Sequence, residues 1–371
     1  MTAEPTAEPK SEPTAEPTVE AFADKVFASV LGAMECLGFY AGERLGWFAA
    51  LAREGPATAV ELAERTGTDG RYAREWLEMQ ATFGHLRVDS DGGSADQRRF
   101  SIPAGVAEVM TDPHSLFYLG ELPRMLASIG PHLDQLLEAY RRGGGVSWAE
   151  LGDHARHAQA AVNRPWFESR LAEALAGVPE LHEILSRPGA RIVDVGCGAG
   201  WSSIALAVAY PDATVIGVDP DEPSIGLAEA NATAAGVADR VRFEVAVGAQ
   251  LAERGPFDAA FAFECLHDMP QPVPVLEAVR AAVKPDGAVV VMDEAVADHL
   301  MTPGDAVEQV MYGYSMFICL PDGLSSEPSV GTGTVIRQPI LTGYAQQAGF
   351  RQVEVLPIED FASFRFYRLH H

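Results

Sequence analysis

Hydrophobic residues follow two different spacings along this chain. Over residues 21–53 apolar side chains recur about every four positions, which predicts helices with a break at Gly38. Residues 113–180 carry further helical stripes. From residue 190 onward, short apolar runs alternate with helical stretches, which is typical of a doubly wound α/β sheet. The pattern therefore predicts a helical amino-terminal half and an α/β carboxy-terminal half.

The segment 57–101 has the layout of a winged helix. It reads as helix, glycine-containing turn, helix and strand, and a loop rich in Asp, Gly and Ser then precedes a second short strand. The segment holds six arginines and eight acidic residues. Because a DNA-reading face normally carries an excess of basic residues, we expect a dimerisation or substrate-shielding role for this unit.

The division of the chain follows from these patterns. Residues 1–18 repeat a Thr, Glu and Pro theme with almost no apolar side chains, so they cannot offset the entropy of ordering and are predicted to be disordered. We predict a winged-helix-like dimerisation domain over 19–112, a helical linker or lid over 113–180, and a cofactor-binding domain over 181–371.

Composition narrows the range of partners. The net charge of −25 disfavours binding to nucleic acid or anionic membranes. The four cysteines are scattered without a zinc-type spacing, so no metal site is predicted, and they suit a reducing compartment. No apolar run is long enough to span a bilayer, and the start of the chain lacks the layout of a signal peptide. We expect a soluble cytoplasmic protein.

The strongest motif is a glycine-rich loop after a buried strand. The segment "RIVDVGCGAG" places Asp194 before Gly196, Gly198 and Gly200, and a second apolar strand ends at Asp219. Glycines allow a tight turn that a ligand can approach, and an acid at the tip of the next strand can accept the hydroxyls of a ribose. The G-x-G-x-G spacing and the preceding acid favour a cationic amino-acid nucleoside over NAD, so an NAD-dependent oxidoreductase is disfavoured.

A second cluster of chemical groups lies at the predicted tips of two later strands. Residues 257–263 and 288–292 read as neighbouring strands, and their tips bring polar side chains to one crevice. These residues are Glu264, His267, Asp268, Asp293 and Glu294. A neutral imidazole can take a proton from a hydroxyl near neutral pH, so His267 is the candidate general base. We expect Asp268 or Glu294 to fix its tautomer.

The motif "VDVGCGAG" resembles the first motif of class I S-adenosylmethionine-dependent methyltransferases. The resemblance implies a Rossmann-like seven-stranded sheet with an antiparallel last strand. It also implies that Asp194 and the loop Gly196–Gly200 hold the methionine moiety of S-adenosyl-L-methionine, and that Asp219 holds its ribose. Relatives often contact the adenine through an acid after the third strand, where this chain has Val247, Gly248 and Ala249 and offers a backbone group or Gln250 instead. Glu264 is assigned to the cofactor as well.

The segment "CLHDMPQP" resembles the histidine–aspartate motif of O-methyltransferases that act on plant phenolics and bacterial polyketides. This implies a general base at His267, a supporting acid at Glu294 and a role in secondary metabolism. The segments "GERLGWFAAL", "RYAREWLEMQ", "ECLHDMP" and "MYGYSMFICLPDGL" carry a further resemblance, which covers nearly the whole chain from Ala21 on. It is to actinobacterial methyltransferases with a winged-helix amino terminus, some of them described as regulators. Four residues of the segment 308–333 are predicted to line an apolar acceptor pocket: Met311, Tyr312, Tyr314 and Phe317.

Several functions are compatible with these motifs. The leading hypothesis is methyl transfer to a hydroxyl of a small molecule by a homodimer. The acceptor atom can instead be nitrogen, sulfur or carbon, and a carbon acceptor could use a metal held by His267, Asp268 and His299, although no tight ligand spacing supports one. Two further hypotheses are a ligand-sensing DNA-binding regulator, whose hallmark is a basic face on Arg71, Arg74, Arg98 and Arg99, and a non-methylating rearrangement.

Overall fold

The computed structural model describes residues 16–90 and 93–371. The predicted disordered tail, residues 1–18, lies outside the described residues except for its last three. Of these, Thr18 caps the first helix, because its hydroxyl accepts a hydrogen bond from the Ala21 amide at 3.2 Å.

The amino-terminal unit is a winged helix, as predicted. Its elements are α1 (Val19–Arg44), α2 (Trp47–Glu54), α3 (Ala59–Thr66), α4 (Gly70–Thr82), β1 (Arg87–Ser90), β2 (Arg99–Ser101) and α5 (Ala104–Thr111). Helices α3 and α4 form the helix-turn-helix, and the antiparallel pair β1–β2 forms the wing. Buried Phe48, Leu62, Trp76 and Phe100 lie in one apolar core, which binds these elements together.

The predicted helix break at Gly38 is wrong, since α1 runs continuously to Arg44 and the chain turns at Gly46. Gly38 serves close packing instead. A Cβ built there would lie 2.7 Å from the Gln80 side chain, and the Trp76 indole donates to the Gly38 carbonyl at 2.9 Å. The glycine therefore lets α4 approach α1 without interrupting the helix.

Four helices connect the winged helix to the sheet. They are α6 (Leu122–Ile129), α7 (Leu133–Arg142), α8 (Trp148–Ala176) and α9 (Pro179–Leu185). Helix α8 begins with a capping box between Ser147 and Glu150 and bends at Gly152, whose φ is 72°. It packs along α6, and its later turns reach the sheet domain, so α8 spans from the linker to the crevice.

The carboxy-terminal unit is a seven-stranded sheet with helices on both faces. Its first elements are β3 (Arg191–Val195), α10 (Trp201–Ala209), β4 (Thr214–Asp219), α11 (Glu222–Ala234), β5 (Val241–Val245), β6 (Phe257–Phe263), α12 (Pro272–Ala282) and β7 (Val283–Glu294). The remaining elements are α13 (Ala306–Tyr314), α14 (Leu320–Leu324), α15 (Gln338–Gln347), β8 (Gln352–Val355) and β9 (Phe364–His370). A π-helical turn over Ser315–Cys319 joins α13 to α14.

The strand order is β5-β4-β3-β6-β7-β9-β8, with β9 antiparallel to both of its neighbours. The predicted seven-stranded Rossmann-like sheet with an antiparallel last strand is confirmed. The parallel strands β3, β4, β6 and β7 end at one edge of the sheet, where α8 and the α13–α14 helix close over it. Within residues 16–90 and 93–371, no helix is long and apolar enough to cross a membrane.

Candidate active site

A cavity of about 610 Å³ lies at the carboxyl ends of the parallel strands. The glycine loop and the segment after β6 form its floor, while α8 and the α13–α14 helix form its roof. Open parallel sheets bind ligands at this edge, so the fold brings the two predicted clusters together in a single chamber.

The three glycines of the loop have different surroundings. Gly196 (φ 68°) and Gly198 (φ 51°) line the cavity, and their positive φ values favour glycine. Gly200 (φ 80°) does not line it, and a Cβ there would lie 2.7 Å from Phe243 and 2.8 Å from Ala228. Gly196 and Gly198 thus expose bare backbone to a ligand, whereas Gly200 permits close packing of α10 on the neighbouring elements.

Asp194 is buried behind the loop and does not line the cavity. Its Oδ2 accepts hydrogen bonds from the hydroxyls of Ser202 and Ser203, each at 2.6 Å, while its Oδ1 is buried without a hydrogen-bond partner. Burial raises the pKa of Asp194 to about 6. The carboxylate thus fixes the start of α10 and leaves one acceptor atom unsatisfied beneath the loop.

Asp219 borders the cavity at the tip of β4. Its carboxylate accepts from the backbone amides of Gly198 and Asp221, both at 2.9 Å, so it is fixed to the loop before any ligand arrives. A neighbouring contact had no signal in the sequence: Arg156 on α8 makes a bidentate ion pair with Asp221, at 2.6 and 2.7 Å. This pair joins the roof of the cavity to the start of α11.

Glu264 lines the cavity directly after β6 and adopts a φ of 51°, which is uncommon for a residue with a side chain. Its amide donates to the Met292 carbonyl at 2.8 Å, and its carboxylate accepts from the Asn163 side chain of α8. Burial raises the pKa of Glu264 to about 7. Gln250, by contrast, is exposed and lies outside the cavity lining, which Val247 reaches instead.

His267 is 2% exposed and is held by an acid that differs from the two expected. Its Nδ1–H donates to Asp293 Oδ1 at 2.6 Å. Glu294 Oε2 lies farther away, at 3.4 Å from Nδ1, and Asp268 Oδ1 lies 3.3 Å from Nε2 on the other side of the ring. The expectation that Asp268 or Glu294 orients the ring is therefore wrong. Asp293 contacts Nδ1 most closely, which leaves Nε2 on the opposite side.

The charge environment of His267 favours its protonated form. Burial lowers the pKa of His267, but the nearby carboxylates of Asp268, Asp293 and Glu294 raise it by more than burial lowers it. The pKa of His267 therefore lies well above the ordinary value of a histidine. Burial also raises the pKa of Glu294 well above its usual range. The site thus stabilises a proton received by the imidazole.

The four residues predicted to line an acceptor pocket separate into two groups. Met311 and Tyr314 line the active-site cavity. Tyr312 points elsewhere, and its hydroxyl accepts from Arg337 at 3.3 Å. Phe317 lines a neighbouring, almost wholly apolar cavity of about 640 Å³ between the winged helix and α13, and Tyr314 is shared by both cavities.

Two family models match the chain. Residues 186–323 match a methyltransferase domain, and residues 33–112 match an Rv2258c-like winged helix-turn-helix domain. The bare glycines and the acid at the tip of β4 fit an amino-acid nucleoside. The family match confirms the expected cofactor, S-adenosyl-L-methionine.

Curated relatives align with part of the chain. A 27-O-demethylrifamycin SV methyltransferase of Amycolatopsis mediterranei is 32% identical over 160 residues, which are 43% of this chain and 55% of the relative. A ubiquinone biosynthesis O-methyltransferase of Paracidovorax citrulli is 42% identical over 101 residues, 27% of this chain and 41% of the relative. The chain spans about half the length of the curated relatives it matches.

Solved structures resemble the chain over almost its whole length. The mitomycin 7-O-methyltransferase MmcR has a TM-score of 0.69 at 23% identity and covers 95% of this chain and 98% of its own. Human N-acetylserotonin methyltransferase, solved with S-adenosylmethionine, has a TM-score of 0.66 at 17% identity and covers 96% and 99%. At this identity the likeness shows the fold. The chain therefore joins an Rv2258c-like winged helix-turn-helix domain to a methyltransferase domain of the class I, S-adenosylmethionine-dependent fold.

Proposed function

We propose that this protein transfers the methyl group of S-adenosyl-L-methionine to a hydroxyl oxygen of a small molecule, with His267 as the general base. The observation that carries the proposal is the buried Asp293–His267 hydrogen bond of 2.6 Å in the wall of the cofactor cavity. A carboxylate on Nδ1 keeps the proton on that nitrogen, so Nε2 offers a lone pair on the other side of the ring.

The cofactor half of the cavity has a matching set of groups. We assign the amino-acid part of the cofactor to the backbone of Gly196 and Gly198, backed by Asp194 and the packing of Gly200. Asp219 then accepts from the ribose hydroxyls with the lone pairs that its two amide contacts leave free. Glu264 borders the methionine side, and Val247 offers an apolar contact for the adenine in place of the exposed Gln250.

The chemistry is a direct displacement, in which the bound cofactor supplies an electrophilic methyl group. The chain's own contribution is to hold the acceptor oxygen in line and to remove its proton. That proton moves to His267 Nε2, and Asp293 stabilises the resulting imidazolium through Nδ1–H. Asp268 adds negative charge beside Nε2, so it supports the same charged state.

The acceptor is proposed to be a partly apolar, hydroxylated metabolite. Met311 and Tyr314 border the reaction cavity, and the adjoining apolar cavity with Phe317 offers room for a further apolar part of the acceptor. Relatives named for rifamycin and mitomycin O-methylation support a substrate of secondary metabolism. Methylation of nitrogen or sulfur has less support in the site, because a neutral amine attacks without losing a proton first and a thiol ionises more easily than a hydroxyl.

The test compares His267→Ala with His299→Ala, which removes an exposed histidine of the same domain. A panel of phenols and hydroxylated polyketides is assayed with methyl-labelled cofactor, and cofactor affinity is measured by calorimetry. His267→Ala should lower kcat about 10²- to 10⁴-fold with unchanged cofactor affinity, since general base catalysis contributes about that much. His299→Ala should behave as wild type. An unchanged kcat in His267→Ala contradicts the proposed base, and absence of any methylated hydroxyl contradicts the proposed acceptor.

The charges of the winged helix argue against a DNA-binding regulator. Each arginine of the candidate basic face is paired with an acid: Arg71 with Glu75, Arg74 with Asp96, Arg98 with Glu78, and Arg99 with Glu61. Such pairing cancels the positive potential that phosphates require. The observed charges therefore favour the enzymatic function.

We also propose a homodimer formed through α1. Apolar side chains of this helix are widely exposed, among them Phe22 (56%), Phe27 (64%) and Met34 (52%). A contiguous exposed apolar face marks a site of protein association, and the proposed cover of this face is a second copy of the chain. The molar mass in solution, measured by light scattering, distinguishes this dimer from a monomer.

A further inference from the structure

A second chemical use of the reaction cavity follows from the side of His267 that faces away from Asp293. One donor atom from each of His267, Asp268 and Cys319 lies within 4.8 Å of the others, and all three residues line the cavity. We propose that these residues form a binding site for Zn²⁺ or a similar divalent transition metal ion, and that the bound ion inhibits methyl transfer by occupying His267 Nε2. The inhibition rests on the proposed function of His267 as the general base, whereas the binding of the metal ion does not.

The donor set suits zinc. Imidazole nitrogen, thiolate sulfur and carboxylate oxygen are the three ligand types that zinc takes in proteins. In a tetrahedral centre with metal–ligand bonds of about 2.0 Å, a nitrogen and an oxygen ligand lie roughly 3.3 Å apart. His267 Nε2 and Asp268 Oδ1 lie 3.3 Å apart, and that carboxylate oxygen is buried without a hydrogen bond.

The support behind the ligands is already in place. A metal-binding histidine usually donates its other ring N–H to a carboxylate, which fixes the tautomer and makes the ligand more basic. His267 makes such a contact through Nδ1 to Asp293 at 2.6 Å. The same hydrogen bond that prepares Nε2 to accept a proton therefore also prepares it to bind a metal ion.

The position of the cluster leaves one coordination site for a cavity ligand. Three protein ligands with an open fourth position are typical of accessible zinc sites, and the cavity provides the entry path. A second group, His267 with Asp293 and Glu294, also brings ligand atoms together. Those three side chains are at most 2% exposed, and that group uses the Nδ1 that already donates to Asp293, so it is the weaker site.

Binding must release protons. Cys319 becomes a thiolate when it ligates the metal, and His267 must offer a lone pair, so each event frees the proton that either group carried. The sum of charges is favourable because Asp268 and the Cys319 thiolate are anionic ligands and the Asp293 carboxylate lies 2.6 Å from Nδ1 behind the imidazole. Apparent affinity therefore weakens as the pH falls, and the inhibition weakens with it.

The decisive measurement is spectroscopic and uses Co²⁺ as a probe for Zn²⁺. Protein without an affinity tag is titrated with Co²⁺ after treatment with a chelator, and thiolate ligation gives a charge-transfer band in the near ultraviolet. The wild type should give this band with one equivalent of Co²⁺, and Zn²⁺ should displace it. The terminal His370 and His371 carry no thiol, so a second ion bound there gives no such band.

Cys319→Ser is compared with Cys36→Ser, a matched control that removes a thiol from α1. Cys319→Ser should abolish the band and weaken Zn²⁺ binding at least tenfold in competition with a chromophoric chelator, whereas Cys36→Ser should retain both. Asp293→Asn, which keeps all three ligands, should weaken Zn²⁺ binding about 10- to 100-fold. If Cys319→Ser does not fold, Asp268→Asn carries the same comparison through Zn²⁺ affinity.

Activity gives a separate readout. In each protein the rate with micromolar Zn²⁺ is divided by the rate after chelation, so any effect of the substitution itself cancels. Zn²⁺ should lower the rate at least fivefold in wild type and in Cys36→Ser. It should leave the rate of Cys319→Ser nearly unchanged. A Co²⁺ complex without the thiolate band, or equal Zn²⁺ affinity in Cys319→Ser and wild type, overturns the site. If no acceptor is methylated, the Co²⁺ and Zn²⁺ titrations still decide whether the metal site exists.

Discussion

The two halves of the reaction cavity are built in different ways. The cofactor half comes from neighbouring stretches of chain: the glycine loop, the start of α10 and the tip of β4, joined by the 2.9 Å hydrogen bond from the Gly198 amide to Asp219. The acceptor half is assembled from distant parts of the sequence. His267 lies beside Asp293 of β7 and Cys319 of the π-helical turn, and Glu264 of the same cavity accepts a hydrogen bond from Asn163 of α8.

This difference bears on what each half can tolerate. Backbone amides and glycines set the shape of the cofactor half, so few side chains there can be changed without altering the loop. Side chains set the acceptor half, and α8 and the α13–α14 helix bring them together. Changes in the roof should therefore alter the acceptor and its chemistry more than the binding of the cofactor.

Among the changes that test the contrast between the two halves, Asp219→Ala in the cofactor half should have the largest effect on cofactor binding. Removing a carboxylate that accepts hydrogen bonds from a ligand costs about 1.5–3 kcal/mol, so the Kd for S-adenosyl-L-methionine should rise about 10- to 100-fold. Calorimetry measures it, with Asp212→Ala as the control, because Asp212 is an exposed acid that precedes the same strand. An unchanged Kd in Asp219→Ala would remove this residue from the cofactor site.

A smaller effect, on the acceptor half, is expected in the pH dependence. A general base works only when neutral, and Asp268, Asp293 and Glu294 together raise the pKa of His267 against the lowering effect of burial. The rate should therefore fall as pH drops through a value above 6.5, the ordinary pKa of a histidine. Asp268→Asn removes one raising charge and should move this acidic limb to lower pH, which the profile of kcat reports.

The control for this profile is Asp298→Asn, which removes an exposed acid beyond the end of β7 and away from the His267 ring. Its acidic limb should coincide with that of the wild type. A limb that stays in place in Asp268→Asn as well would mean that a different group limits the rate.

The same contrast explains how much the sequence revealed. Gly196, Gly198 and Asp219 could be recognised because strand, loop and acid lie within one short stretch, and the cavity has Gly196, Gly198 and Asp219 in its wall. The acid that holds His267 could not be recognised from the sequence, because Asp293 and Glu294 are consecutive in one strand. Only the strand register and the turn after β6 decide which of the two contacts the ring. Asn163 had no signal in the nearby sequence, because its partner Glu264 is 101 residues away. Cys319 had none either, because it belongs to a separate helical segment.

The smallest predicted effect tests the ion pair of Arg156 with Asp221, which crosses from the roof to the cofactor half. Arg156→Lys keeps the charge but loses the bidentate contact with Asp221, and a lysine binds a carboxylate as a point charge. We expect a two- to fivefold rise in the Kd for S-adenosyl-L-methionine, about 0.5–1 kcal/mol, because Asp219 keeps its hydrogen bond from Gly198. A loss as large as that of Asp219→Ala would mean that α8 also shapes the cofactor half. The two halves would then depend on the same roof and could not be changed separately.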